Sequence, residues 1–591
     1  MIINADEIGA PNHIDGVTLL RAEICIVGAG PAGIAIALAL ADGGARVLLL
    51  ESGGRRPDAE SQSLCRGEVA DPTRHCPPHT YRRRCLGGSS TIWGGRCVPL
   101  DPVDFAPRPW LDLPSGWPIM HSDLVPYWHR AHDLAELGSY DYSARTSVRG
   151  GMRPMFQRFA DAVVTTDQIE RFSRPTDFGR TYADKLGSSR AIDALVNATC
   201  TEIVLEPGGR AVRHLACHTR AGASFHARAS AYVLAMGGLE IPRLLLASRG
   251  VVRCGVGNVY GQVGLHYMSH LGGIVGVFTP APGRRPFHGY ERAEGGVYCR
   301  RRLSIEPWAQ RGWRIANVIA RLHHPKLADP VHRTGAFSAL YLARNLLPSE
   351  YATHLGGGGR EATPLGHLLN VARDPFGTAL FAWQMLSRRI LAARRYPSLT
   401  VPPRSGRFTL EVHAEQLPNP ASRVALSDEL DRYGVPQMRV DWRHQPADIR
   451  SVRVALSLFA QALAAGAHGA LAFDVEQVEA DILRDGAYGG HHLGTARMSA
   501  TPRTGVVDAN CRVHGMENLY IAGGAVFATS GQANPTLTIL ALAVRLADHL
   551  RQQILVNERQ GALPLDQAGA GGPRPHSMSS TASVGAAEHA R

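Results

Sequence analysis

The octet HHLGTARM, residues 491–498 of a 591-residue chain, sets two imidazoles side by side ahead of a Gly-Thr pair. A neutral imidazole, whose unperturbed pKa lies near physiological pH, can take a proton from a hydroxyl as charge develops on the oxygen. On an extended segment, neighbouring side chains point to opposite faces. Only one of His491 and His492 can then face a given reacting centre.

A second kind of chemistry is written near the N-terminus, in AEICIVGAGPAGIAIALALADGGARVLLLESGG. Ile24 to Val27 reads as a buried strand, Gly28, Gly30 and Gly33 as a G-x-G-x-x-G turn, and Ile34 to Leu40 as a helix. A second strand, Val47 to Leu50, ends at Glu51. In this arrangement the first glycine permits a tight turn, the second lets the backbone approach a pyrophosphate, and the third allows close helix–strand packing. Unpaired N–H groups at the helix start face the anion, and the acid at the end of the second strand suits a ribose hydroxyl. A dinucleotide is expected, and the turn alone does not choose between NAD and FAD.

Later stretches favour the flavin nucleotide. LGGSSTIWGGRCVPLDPVDF, residues 86–105, gathers glycines and serines around Trp93, which brings backbone amides close to a ligand. SAYVLAMGGLEIPRLLLAS, residues 230–248, reads as strand, Gly237-Gly238 turn and helix. NLYIAGGAVFATSGQANPTLTILALAVRLADHL, residues 518–550, reads as strand, Gly523-Gly524, a polar loop and a helix opened by Pro535. Three returns to one nucleotide domain, separated by long insertions, fit a flavin fold better than a compact NAD module. The run YRRRC, with Arg82 to Arg84, reads as a solvated turn, left open as a binding site because a glycine pair follows it.

In order along the chain, the nucleotide turn, GGSS, AMGGLEIPRLLL, GQVGLHYMSH, HAEQLPNPASRVAL, HHLGTARM and GQANPTLT resemble the glucose–methanol–choline (GMC) oxidoreductases, FAD enzymes that oxidise alcohols. The resemblance spans residues 22–550. It implies an α/β fold in which a Rossmann-like FAD-binding domain, a parallel sheet with helices, carries an inserted α+β substrate domain built on an antiparallel sheet. It also answers the opening octet: the first residue of the family's H-x-x-G-T pattern falls on His491, the implied base, and His492 matches no catalytic position. A family histidine or asparagine before the last helix falls on Asn534, whose amide would hydrogen-bond the substrate oxygen and orient the carbon. Asn before Pro is also a common helix cap, and both roles can coexist. The hydride would go to the flavin, which offers no base for the hydroxyl.

The implied FAD contacts are Gly28, Gly30, Pro31, Ala32, Gly33, Glu51, Ser52 and Arg84. They continue through Gly87, Gly88, Ser89, Ser90, Trp93, Gly94, Gly95, Thr201, Ala235 and Gly237, and end with Gly524, Ala525, Asn534, Pro535 and Thr536. Some relatives tether FAD through a histidine where this chain has Ile92, so non-covalent FAD is expected. Trp93 replaces a family asparagine, as in pyranose-oxidase-like members. With Asn534 and RLHHPKLADP, it points to a polyhydroxylated substrate: a sugar, glycoside or aminoglycoside-like polyol. Glu415 and Gln416 are candidate contacts to its hydroxyls, with buried structural bonds as the alternative reading. Rival functions are a lyase of the hydroxynitrile type with structural FAD, oxidation of an aryl or aliphatic alcohol, and an NAD dehydrogenase.

The FAD domain is expected at 1–120, 187–266 and 484–555, and the substrate domain at 121–186 and 267–483. RFTLEVHAEQ and RVALSD read there as strands, and FGTALFAWQMLSRRILAARR as an amphipathic helix whose apolar face belongs to the core, membrane or partner contact being the alternative. HLGGGGREATP, residues 354–364, reads as a surface loop or lid, and 556–591 as a disordered tail. The ten cysteines never fall as C-x-x-C, which leaves zinc and iron–sulfur sites unsupported, and no metal is expected. The net charge of +12 bears on solubility, and nucleic acid is not expected as a partner. No apolar run is long enough for a membrane span and the N-terminus lacks an apolar signal core, so a cytoplasmic location is expected. The electron acceptor, whether oxygen, a quinone or a redox protein, stays open.

Overall fold

The computed structural model describes the chain except residues 9–12, 15–16, 112, 114, 175, 345–363, 399, 485 and 560–591. The ICIV and VLLL runs are buried throughout, as strands covered on both faces must be. They belong to Val17–Val27 and Val47–Leu50, which pair in parallel. Ile192–Val196 and then Ile2–Asn4 extend the sheet on one side, and Ser224–Leu234 and then Leu519–Ile521 on the other, all in parallel. Val212–Thr219 and Ala198–Leu205 add an antiparallel wing. The register aligns Val27 with Leu50 and Leu234, and Leu234 with Ile521. The carboxyl ends of these strands therefore open together, where ligands bind in parallel α/β sheets. Helices Pro31–Asp42 and Thr536–Arg559 pack against one another and bury apolar residues in this core.

The second half is an antiparallel sheet containing Met268–Pro280, Phe408–Glu415 and Val318–His323. Period-two alternation sorts Phe408–Glu415 cleanly. Phe408, Leu410, Val412 and Ala414 enter the core, covered by Ile449, Val452, Leu456, Phe459 and Leu463 of the helix Pro446–Ala465. Thr409, Glu411, His413 and Glu415 fall on the opposite face. Tyr488–Leu493 pairs with the start of Met268–Pro280, while Gly494 and Ala496 donate backbone N–H to the Gly524 and Ala525 carbonyls. The strand carrying both histidines is thus a seam between the two halves.

The expected domain borders shift. Leu124, Trp128, Ala131 and Leu137, with Phe178 and Leu186, pack into the nucleotide core, because their helices lie against its sheet and last helix; only the middle of 121–186 joins the substrate half. The last helix runs to Arg559, four residues into the expected tail, by continuing its hydrogen-bonded turns. RFTLEVHAEQ and RVALSD are strands as expected. FGTALFAWQMLSRRILAARR is helical over Pro375–Met385 with a wider turn at Leu386–Ile390, but its apolar stripe faces outward instead of into the core. Nearly all of the 354–364 loop lies outside the described residues. No helix among the described residues is long and apolar enough to cross a membrane.

Candidate active site

One cavity of about 630 Å³ runs from the glycine turn to the histidine seam and on into the antiparallel sheet. At its nucleotide end Gly28 adopts φ +101°, and a Cβ at Gly33 would lie 1.9 Å from the Gly28 carbonyl oxygen, so the turn closes only with glycine there. A Cβ at Gly30 would meet nothing within 4 Å: that space is open to the cavity. Gly30 caps the first helix without a side-chain bond, which leaves the helix-start N–H groups for a ligand anion. Glu51, beside them, accepts from the Ala29 and Gly53 amides, each at 2.9 Å. Burial raises its pKa, opposed by those two bonds and by Arg84.

The arginine run is no solvated turn. Arg82 and Arg84 grip Glu240 at 2.7 and 2.8 Å, and Arg243 adds a third contact at 3.3 Å. The arginines outweigh burial and hold the Glu240 carboxyl far below its usual range. Arg84 also donates to Ser52 Oγ at 2.9 Å, fixing that side chain at the cavity wall.

His491 and Asn534 meet at the seam. Asn534 Nδ2 lies 3.2 Å from His491 Nε2, and both side chains line the cavity. On the other side of the ring, His491 Nδ1 lies 2.7 Å from His270 Nδ1, with the rings nearly perpendicular. His413 stacks on His270 at 4.5 Å, and its Nδ1 donates to the Gln532 carbonyl at 2.6 Å. His492 also lines the cavity, but its ring packs beside Tyr267 and His75, which bond each other at 2.8 Å, and not beside Asn534 or His270. Burial, with His270, Arg96 and His492 nearby, pushes His491 well below the usual imidazole pKa. His270 falls to about 3, chiefly through burial. Both are neutral at physiological pH.

Ligating nitrogens of His270, His413 and His491 fall within 4.8 Å of one another, a cluster that the expectation of no metal did not foresee. The 2.7 Å Nδ1–Nδ1 separation is that of a shared proton. Two imidazoles bound to one zinc at about 2.0–2.1 Å would stand roughly 3.3 Å apart in tetrahedral geometry.

Two family models match the chain: the FAD dependent oxidoreductase model over residues 23–302 and the GMC oxidoreductase model over residues 418–543. Paromamine 6'-oxidase of Streptomyces fradiae is 26% identical, the match covering 89% of this chain and 90% of that one. The chain is a GMC oxidoreductase. The 2-methyl-1,2-propanediol dehydrogenase of Mycolicibacterium austroafricanum is 24% identical over 91% of this chain and 97% of its own. A solved FAD-dependent oxidoreductase from Chaetomium thermophilum shares the fold, with TM-score 0.53 and 15% identity over 90% of this chain and 100% of that one. As a GMC oxidoreductase, the protein is an FAD-dependent enzyme acting on CH–OH groups. The open face at Gly30, the uncapped helix start and Glu51 at the strand end fit the nucleotide of FAD, and the cavity has room to continue past Trp93, Gly94 and Gly95 toward His491.

In this GMC oxidoreductase most of the expected FAD contacts line the cavity, and four do not. Gly33 is spent on helix packing, and a Cβ at Gly87 would strike the Gly179 backbone. Thr201 bonds the Ala216 carbonyl and His218 across the antiparallel wing, leaving Ala198, Thr199 and Cys200 at the wall. Ala525 is buried in the core, where its carbonyl receives the Ala496 N–H. Trp93 does line the cavity, with its Nε1 donating to the Thr176 carbonyl at 2.9 Å.

Glu415 and Gln416 are not substrate contacts in this structure. Both are 0% exposed. Arg108 holds both Glu415 oxygens at 2.6 and 2.7 Å, and Gln416 Oε1 accepts from the Ser269 amide and from Trp442 Nε1, each at 2.8 Å. Four residues back, on the same strand face as Glu415, Glu411 reaches the cavity. Its Oε1 lies 3.1 Å from Arg321 Nη2, whose Nη1 holds Glu170 at 2.9 Å. His323 and Arg300 line the same end, Arg300 over the Tyr290 ring at 5.4 Å. Burial pushes Glu411 up, but His323, Arg96 and Arg300 outweigh it, and the acid stays ionised. Sequence reasoning missed this group and His270. Their signals were His270 closing the GQVGLHYMSH motif and the polar alternation of TLEVHAE.

Proposed function

We propose that the enzyme oxidises one hydroxyl of a polyhydroxylated substrate, a sugar, glycoside or aminoglycoside-like polyol, to a carbonyl, with His491 as the base. The observation that carries this reading is the bond between Asn534 and His491 Nε2 at the cavity wall. An amide N–H donates, so Nε2 holds a lone pair and the ring proton sits on Nδ1. That proton is donated to His270 Nδ1, which leaves the proton of His270 on Nε2. The chain of donors thus fixes the tautomer a base requires.

When a substrate hydroxyl approaches, Asn534 exchanges His491 for the developing alkoxide as its acceptor and steadies the oxygen. His491 takes the hydroxyl proton on Nε2, and the resulting cation is shared with His270 through the short Nδ1 bond. Bound FAD supplies the hydride acceptor. Glu411, Arg321, Arg300 and His323 offer acceptors and donors at the far end, the kind of polar set that distinguishes one hydroxyl-rich substrate from another. The relatives named for an amino sugar and a diol support a substrate of this class. Ile92 on the cavity wall cannot bond to FAD, which supports non-covalent binding.

The test is the anaerobic visible spectrum of purified protein before and after addition of sugars, glycosides, amino sugars and aryl alcohols. Bleaching of the yellow colour by a polyol class supports the proposal. Bleaching by aryl alcohols alone, or by none of the panel, contradicts it.

A further inference from the structure

The two helices Pro364–Arg373 and Pro375–Met385 are built inside out. In the first, the polar residues His367 and Asn370 face inward: His367 bonds Ser338 Oγ at 3.0 Å, and Asn370 Nδ2 donates to the Pro330 carbonyl at 2.8 Å. Those bonds set the helix rotation, and Leu365, Leu368 and Leu369, on the other side, are exposed in consequence. In the second, Phe381 is the buried residue, while Phe376, Leu380 and Trp383 form an i, i+4, i+7 stripe that Ile390 extends. Phe376 is 89% exposed and Trp383 62%. An outward apolar face on two consecutive helices needs a partner to cover it.

Charge says which partner. Between Pro364 and Arg404 the only acid is Asp374, which is buried and held by Arg404 at 2.6 Å. Arg373, Arg388 and Arg395, on the same segment as the stripe, are exposed. We infer that this face docks on an anionic phospholipid surface, its apolar stripe entering the headgroup boundary and its arginines meeting lipid phosphates. Leu, Phe and Trp on one side with arginine at the margins is the composition of an interfacial helix, and Trp favours the level of the headgroups. A second copy of the chain is the poorer match, since a two-fold interface through this face would bring arginines against arginines. The surface also borders the active site. Arg389 Nη1 donates to the carbonyls of Tyr396 and Pro397, each at 2.8 Å, and Pro397 and Ser398 line the main cavity. Docking would bring that end of the cavity to the lipid surface.

The experiment is co-sedimentation of the full-length, FAD-loaded protein with vesicles of phosphatidylcholine alone or mixed with phosphatidylglycerol. Three arginines near the surface predict roughly 100-fold tighter association with the anionic vesicles, weakened by salt. Phe376→Ser with Trp383→Ser should abolish binding while leaving flavin absorbance and melting unchanged, because neither side chain is in the core. Arg373→Gln with Arg388→Gln should reduce binding to anionic vesicles and remove most of the salt dependence. Absence from both vesicle pellets, or equal binding by the Phe376/Trp383 variant, would overturn the inference. So would a native dimer that ignores vesicles and that the same variant converts to monomer, which would assign the face to a second copy.

Discussion

The two ends of the cavity are made of different material. The nucleotide end is mostly backbone: a glycine turn, helix-start amides and the ends of parallel strands, contributed by short contiguous segments. The proposed reacting end is side chain, with His270, Glu411, His491 and Asn534 brought from four segments spread over more than 260 residues. A backbone site is broken by steric bulk and tolerates changed side chains. A side-chain site keeps its shape and loses its chemistry one group at a time.

Glycine variants test the first half of that contrast and should have the largest effect. Gly33→Val places its Cβ against the Gly28 carbonyl and is expected to yield no soluble protein. Gly30→Val has room for its Cβ and should fold, as circular dichroism would show, yet purify colourless because its side chain fills the nucleotide space. A yellow Gly30→Val protein would mean that this turn does not set cofactor binding.

At the proposed reacting end, His270→Leu removes the acceptor for the His491 Nδ1 proton and should slow bleaching by substrate roughly 10- to 100-fold, less than loss of the proposed base, with FAD retained. His270→Asn, which still offers an acceptor, should recover most of the rate. His270→Asp should move the pH profile of bleaching upward, since a carboxylate stabilises the imidazolium of His491. A merely structural role for His270 would not shift that profile. Glu411→Gln, further from the reacting pair, should raise KM about tenfold, the size of one lost hydrogen bond to a charged group, while kcat changes little.

Acid separates the two ends more gently. His270, His413, His491 and His492 are all held below the usual imidazole pKa by burial, so the unfolded chain binds protons that the folded chain refuses. Their stability contribution is complete above the unfolded value of 6.5 and is lost as pH falls toward the folded values, at about 1.4 kcal/mol per pH unit for each group. Asp448, raised to about 7 by burial, works the other way. The melting temperature should therefore decline below pH 6.5, and replacing His413 and His492 together with neutral residues should flatten that decline.

The same contrast explains how much was legible in the sequence. The Gly28 turn, Glu51 and the glycine pairs at 237 and 523 follow from local periodicity, because each element is complete within about ten residues. His491 and Asn534 were singled out through the order of motifs, and the fold brings their side chains together. His270 and Glu411 were not, since nothing local says which face of an antiparallel strand will look across at a segment more than 200 residues away. Glu415 stayed between substrate contact and buried structural bond for the same lack: only the fold brings Arg108 to both its oxygens. The outward stripe at Phe376 was read as core because amphipathicity reports a face and not what lies against it, and the inward bonds of His367 and Asn370 were out of sight.

The central claim is that two adjacent histidines have unequal roles, and the most direct test compares the single-turnover rate of anaerobic bleaching in His491→Ala and His492→Ala, each matched for bound FAD. A slowing of roughly 10²–10⁴-fold in the first and less than about tenfold in the second is the expected result. Equal slowing in both, or a larger loss in His492→Ala, would contradict the assignment of the base.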